Sequence, residues 1–172
     1  MALTLIKETG AGLANANAYA DAADGDAYHE GHLYVSAWTA ASAAQKTVAL
    51  VMATRLLDAE YQFAGTRAVA SQALQWPRQE CPSPDDEDPL DEDAVPKAVV
   101  AATCELAREL LITDRTAAPA GEGLKYYNNG SVQTGYDKTD TRPIIPAVVQ
   151  ALLAKYGALL KARSGSVKLV RV

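Results

Sequence analysis

Residues 38–78 read WTAASAAQKTVALVMATRLLDAEYQFAGTRAVASQALQWPR, and the fold turns on this stretch. Its first half has a helical period. Placed at about 100° per residue, residues 48–61 put Thr47, Thr54, Arg55 and Asp58 on one narrow stripe, while Val48, Leu50, Met52, Leu56 and Leu57 cover most of the rest. A helix apolar around most of its circumference must be surrounded by protein, so this is the expected central helix. Ser42 followed three residues later by Gln45 is a capping-box pattern that satisfies orphan backbone donors at its start. Gly65 is expected to break the chain soon after its far end. The second half carries Tyr61, Phe63 and Trp76 together with Arg55, Arg67 and Arg78, and admits two readings. In one, the aromatics finish the core while the arginines cap helix ends or stay solvated. In the other, these residues and Gln75 form an intersubunit surface, because Trp, Tyr and Arg concentrate binding energy at interfaces.

Outward from this stretch, the chain alternates helices with irregular segments. Gly10, Gly12, Asn15 and Asn17 make residues 1–17 an extended N-terminal arm. A first helix is expected over 21–34, capped by Asp21 or Asn17, with Asp21, Asp24 and Asp26 at its positive end and Gly25 and Gly31 weakening it. Residues 81–93 read CPSPDDEDPLDED; three prolines and seven carboxylates make this a solvated loop, because proline blocks a ladder and like charges repel. Pro96 then suits the first residue of a helix running to 112. Val99, Val100, Thr103, Leu106, Ala107, Leu110 and Leu111 line one face of it, opposite Lys97, Glu105, Arg108 and Glu109. Residues 124–136 are expected to form a hairpin turning at Asn128, Asn129 and Gly130. Pro143 and Pro146 bracket a last helix whose apolar face runs from Val148 and Val149 through Leu152, Leu153 and Tyr156 to Leu159 and Leu160. Ser164, Gly165 and Ser166 end it. The terminal Val167, Lys168, Leu169, Val170, Arg171 and Val172 alternate like a strand with no evident partner in the chain, which predicts pairing with another molecule by β-augmentation.

The expected fold is mainly α: a compact bundle of about four helices with a small β-hairpin and a C-terminal strand-like tail. The expected domain spans 18–162, with the acidic loop at 81–95 and the hairpin insertion at about 121–142, followed by a tail at 163–172. A chain of 172 residues, 49% apolar, is long enough for one real core and short for two. No window approaches the ~18 uncharged apolar residues of a membrane span, and the start MALTLIKE lacks a secretory signal, so a soluble protein made in a cytoplasm is expected. Cys81 and Cys104 form no close-spaced motif and read as free thiols. A net charge of −5 and a pI near 5.0 argue against an extended phosphate-gripping surface.

No catalytic constellation is legible. His29 and His32, with Asp26 and Glu30 nearby, have the spacing of two ligands on one helix but no further ligands, and read as solvated side chains. The acids of residues 85–93 lack the ligand order of a calcium loop, and there is no phosphate loop, nucleophile elbow or Cys–base pair. The expectation is no enzyme, no metal and no cofactor.

The pieces GAGLANANAYA near the start, Trp38, KTVALVMATRLLD, Gly65, Arg67, QALQWPR and VPKAVVAATCELA, over residues 10–112, resemble the head-to-tail connector (adaptor) proteins of tailed double-stranded-DNA bacteriophages. Some members of that group are described as DnaT-like single-stranded-DNA-binding proteins. The resemblance implies a helical virion subunit in a ring of twelve copies. That ring would sit in the neck between capsid and tail, docked on the portal protein and on a head-closure, stopper or tail-terminator protein. Genome DNA would pass through its lumen in transient, non-specific proximity, and acids lining the lumen would repel the phosphates. Arg55, Tyr61, Arg67, Gln75, Trp76, Arg78 and residues 167–172 are then the expected subunit or portal contacts. The alternative is a small single-stranded-DNA-binding module, distinguished by salt-dependent DNA affinity. That module needs stacking aromatics in a basic groove, which the acidic composition does not advertise.

Overall fold

A computed structural model describes residues 3–84, 88–117, 126–129, 132–135 and 142–160. The described part is mainly helical: five helices packed together, joined by three two-stranded antiparallel sheets. The terminal strand-like tail and residues 85–87 of the acidic loop lie outside the described residues. No described helix is long and apolar enough to cross a membrane.

Helix α1 (Ala22–His29) begins at Asp21 with a reciprocal box: the Asp24 amide donates to Asp21 Oδ1 at 3.0 Å, and the Asp21 amide to Asp24 Oδ2 at 2.8 Å. It stops five residues before the expected end at 34, just ahead of Gly31, and a separate helix α2 (Ser36–Ala40) carries Trp38. Gly25 is not a weak point in α1. A Cβ there would lie 2.3 Å from Cζ2 of the buried Trp38, so only glycine lets α1 sit on the indole.

Helix α3 (Ala43–Glu60) starts at Ser42 with the expected capping box to Gln45. Leu50, Ala53 and Leu57 are buried in the core where α3 packs along α4 (Lys97–Ile112). Only part of the polar stripe of this helix meets solvent, through the exposed Arg55. Thr54 is fully buried, donating to the Leu50 carbonyl at 3.0 Å and accepting the Tyr19 amide at 3.2 Å, whereas Val48 is 52% exposed. On α4, Pro96 is the N-cap rather than the first helical residue, so the helix starts one position later than expected. Glu105 and Arg108, expected on the solvent face, are 2% and 7% exposed because the α1–α2 connection covers them.

The last helix corrects the sequence most. Helix α5 (Ala147–Leu153) ends seven residues short of 160, and the chain turns into a strand instead. Strand β1 (Tyr61–Phe63), leaving α3, pairs with β6 (Gly157–Leu159) in the register Tyr61↔Leu159 and Phe63↔Gly157. A Cβ on residue 157 would lie 2.5 Å from the Gln62 carbonyl, so the glycine that interrupts the helical pattern is the one that allows this pairing. Strands β2 (Thr66–Arg67) and β3 (Arg78–Gln79) form a second small ladder. The expected hairpin is β4 (Tyr126–Asn129) against β5 (Val132–Gly135), with Asn129↔Val132 in register. Its ladder thus includes Asn128 and Asn129, two of the three residues where the sequence placed the turn.

Candidate functional site

The residues singled out after α3 are largely consumed inside the fold. Trp76, Tyr61 and Arg78 are 0%, 4% and 7% exposed. Phe63 stacks on Tyr61 and meets Trp76 edge-on at 5.6 Å. The Arg78 guanidinium donates to the carbonyls of Ala64 (2.6 Å), Gly65 (2.6 Å), Gln75 (3.0 Å) and Phe63 (3.3 Å), and to Gln75 Oε1 (3.1 Å). No carboxylate is among those partners, so this arginine works as a cross-brace holding the loop from β1 to β3 closed, and burial lowers its pKa. Gln75 is half-buried, while Arg55 and Arg67 are exposed, Arg67 reaching the Gln72 carbonyl at 3.4 Å. Residues 167–172 lie outside the described residues.

A second buried cluster ties the same loop to α3. Tyr19 Oη donates to Asp58 Oδ1 at 2.5 Å and accepts the amides of Gln75 (3.0 Å) and Trp76 (3.2 Å), while Asp58 Oδ2 accepts the Gln75 amide at 3.1 Å. Burial raises the Asp58 carboxyl to about 6, against the hydrogen bonds from Tyr19 and Gln75 that lower it. The arm has a comparable anchor in Glu8, 1% exposed. Its carboxylate accepts the amides of Gly10 and Gly12 (both 2.9 Å) and of Leu13 (2.8 Å). Sequence reading missed both. For Asp58 no local pattern separates a buried acid from a solvated one, because its partners are 39 and 17 residues away, whereas the amides that Glu8 accepts lie two to five residues away.

The third cluster runs along the outer edge of α4. Arg108 donates to Glu105 Oε1 and Glu109 Oε1, each at 2.7 Å, and to the Tyr34 carbonyl at 3.4 Å. Glu109 Oε2 accepts from Arg115 at 3.0 Å, and Arg115 also holds the carbonyls of Pro143 and Ile144, both at 2.9 Å. The exposed Arg142 closes the row by donating to the Asp114 carbonyl at 2.8 Å. At the opposite end Leu33 and Tyr34 are 84% and 75% exposed. His32, partly exposed, accepts the Tyr34 amide at Nδ1 (3.0 Å) and brings Nε2 to 3.7 Å from Glu105 Oε2. His29 is not the solvated side chain expected. It is 2% exposed, lies 5.0 Å from the Trp38 ring and contacts the Cys104 carbonyl through Nε2, and burial lowers its pKa. Among the described residues no group of three His, Cys, Asp or Glu side chains is placed to hold a metal ion. Cys81 and Cys104 are buried free thiols, and burial pushes Cys104 up to about 12.

Charge is distributed unevenly in a way that the whole-chain total hides. From Arg142 onward the sequence contains Arg142, Lys155, Lys161, Arg163, Lys168 and Arg171 and no Asp or Glu. A windowed count of charge, rather than the net value of −5, finds this segment.

A family model described as "Putative DnaT-like ssDNA binding protein" matches residues 3–172. This overturns the head-to-tail connector reading, together with its ring of twelve and its portal, head-closure and tail partners. The family is described by single-stranded-DNA binding, and its model covers the chain well beyond the residues 10–112 that carried the resemblance. Where double-stranded DNA was the expected partner, passing transiently and without specificity, the family description names single-stranded DNA instead. No curated protein and no solved structure matches the chain. With the model spanning it nearly end to end, the chain belongs to the DnaT-like single-stranded-DNA-binding family.

Proposed function

We propose that this protein binds single-stranded DNA as a non-catalytic module. The observation that carries the reading beyond family membership is the partition of charge: six basic and no acidic residues from position 142 onward, in a chain whose total is −5. Nucleic-acid affinity responds to local clusters of Lys and Arg, because each phosphate neutralised releases counterions, and distant carboxylates are screened beyond about 10 Å at ordinary salt. The acidic remainder limits affinity and non-specific sticking without abolishing a local contact.

The test is fluorescence anisotropy of a labelled oligothymidine at graded salt, using the full chain. If four to six phosphates are neutralised, the slope of log K against log salt is about −3 to −4, and affinity falls about 50- to 300-fold between 50 and 200 mM. Replacing Lys161, Arg163, Lys168 and Arg171 by Gln should flatten most of that slope. An affinity that does not respond to salt, or that favours duplex over single strand, contradicts the proposal.

A further inference from the structure

Among the described side chains, Tyr34 is the one aromatic ring left exposed; the other rings are buried or half-buried. Its backbone is nevertheless fixed at both ends. The Tyr34 amide donates to His32 Nδ1 and its carbonyl accepts from Arg108, whose own position is set by two carboxylates on α4. A ring in solvent on an anchored backbone loses little conformational freedom when something stacks on it. From Arg108 the bonded row continues through Glu109 and Arg115 to the region of Arg142. Among the described residues, two of the five guanidinium N–H groups of Arg142 are engaged, by Thr113 Oγ1 and the Asp114 carbonyl. The Asp114 carboxylate accepts from Thr116 and Ala117 and lies within Coulombic range of Arg142. The row therefore sets three guanidinium groups against Glu105, Glu109 and Asp114, a charge-balanced edge in a molecule that is acidic overall.

We propose that this edge of α4 is a contact site for a short run of single-stranded DNA, with one base stacked on Tyr34 and a phosphate paired with Arg142. This rests on the DNA-binding reading above. Single strands are favoured over duplex because a stacked ring needs an open base face, which paired DNA keeps inside its own stack. A protein partner is disfavoured by the narrowness of the exposed apolar surface at Tyr34, where Leu33 is its neighbour.

The experiment measures oligothymidine anisotropy at low salt for the full chain and three variants. Tyr34→Ala should weaken binding about 5- to 150-fold, and Tyr34→Trp, which keeps a stackable ring, should retain wild-type affinity. Arg142→Gln should weaken binding severalfold and reduce the salt slope by about 0.7. Both residues changed are on the surface, and unchanged urea midpoints establish that the variants fold. Wild-type binding that Tyr34→Ala and Arg142→Gln leave untouched overturns this site while the DNA-binding reading stands. Absence of wild-type binding overturns both. A Tyr34→Ala variant that binds DNA normally but sediments as a smaller species overturns the site in favour of contact between copies of the chain.

Discussion

Asp58 gives the sharpest quantitative consequence of the fold. Its carboxyl is raised from an ordinary 3.8 to about 6 by burial, so the folded state holds the proton to higher pH than the unfolded chain does. The sign follows from linkage: the stabilising contribution is complete below pH 3.8 and is lost as pH rises through 6. A shift from 3.8 to about 6 corresponds to about 3 kcal/mol in all, of which about 1.4 kcal/mol separates pH 5 from pH 7.5. Asp58→Asn removes that titration. It also forces an amide NH₂ against either the Tyr19 hydroxyl or the Gln75 amide, a loss of about 1–3 kcal/mol that is the same at both pH values. The assay is urea unfolding followed by the fluorescence of Trp38 and Trp76, both fully buried, at pH 5 and pH 7.5. Groups shifted the other way, such as His29, Asp21 and Asp26, are present in both proteins and cancel in the difference. The destabilisation by Asp58→Asn should be about 1.4 kcal/mol larger at pH 5 than at pH 7.5. Equal destabilisation at the two pH values refutes the argument that this carboxylate is held above its normal range.

Two further substitutions test the packing that positions the rest of the chain. Arg78→Lys keeps the charge but offers one ammonium to acceptors spread over Phe63, Ala64, Gly65 and Gln75. It should cost about 2–4 kcal/mol in urea unfolding, and a loss below 0.5 kcal/mol would remove the cross-brace role. Gly25→Ala raises intrinsic helix propensity by about 1 kcal/mol, yet its methyl would meet Trp38 at 2.3 Å. The expected net effect is destabilisation of about 1–2 kcal/mol with a perturbed indole emission, and a stabilised variant would show that α1 has room there.

How much of this was legible depended on whether the deciding information is local. The start of α3 was, because Ser42 and Gln45 are three residues apart and their reciprocal bonds need nothing else. The extent of α5 was not: Val148 to Leu160 keeps a helical apolar period, and only the strand leaving α3, nearly a hundred residues earlier, draws residues 157–159 into a ladder. The same limit governs the polar residues. Glu105 and Arg108 have the spacing of a solvated helix face, and become buried because α2 and the Tyr34 turn lie over them. The aromatic and arginine-rich run through Trp76 and Arg78 shows why residue type alone misleads. Large rings and guanidinium groups are selected both for cores with many carbonyls to satisfy and for binding surfaces, and composition does not separate the two. Exposure separates them here: Trp76 and Arg78 are inside, and among the described rings the one outside is Tyr34, in a segment the sequence assigned to the end of a helix. Averaging hid the basic end of the chain in the same manner, since a net charge of −5 describes the sum and not the surface that a phosphate meets. The physical route to a binding face in such a chain is therefore to ask which anchored side chains remain unburied and where charge of one sign is uninterrupted.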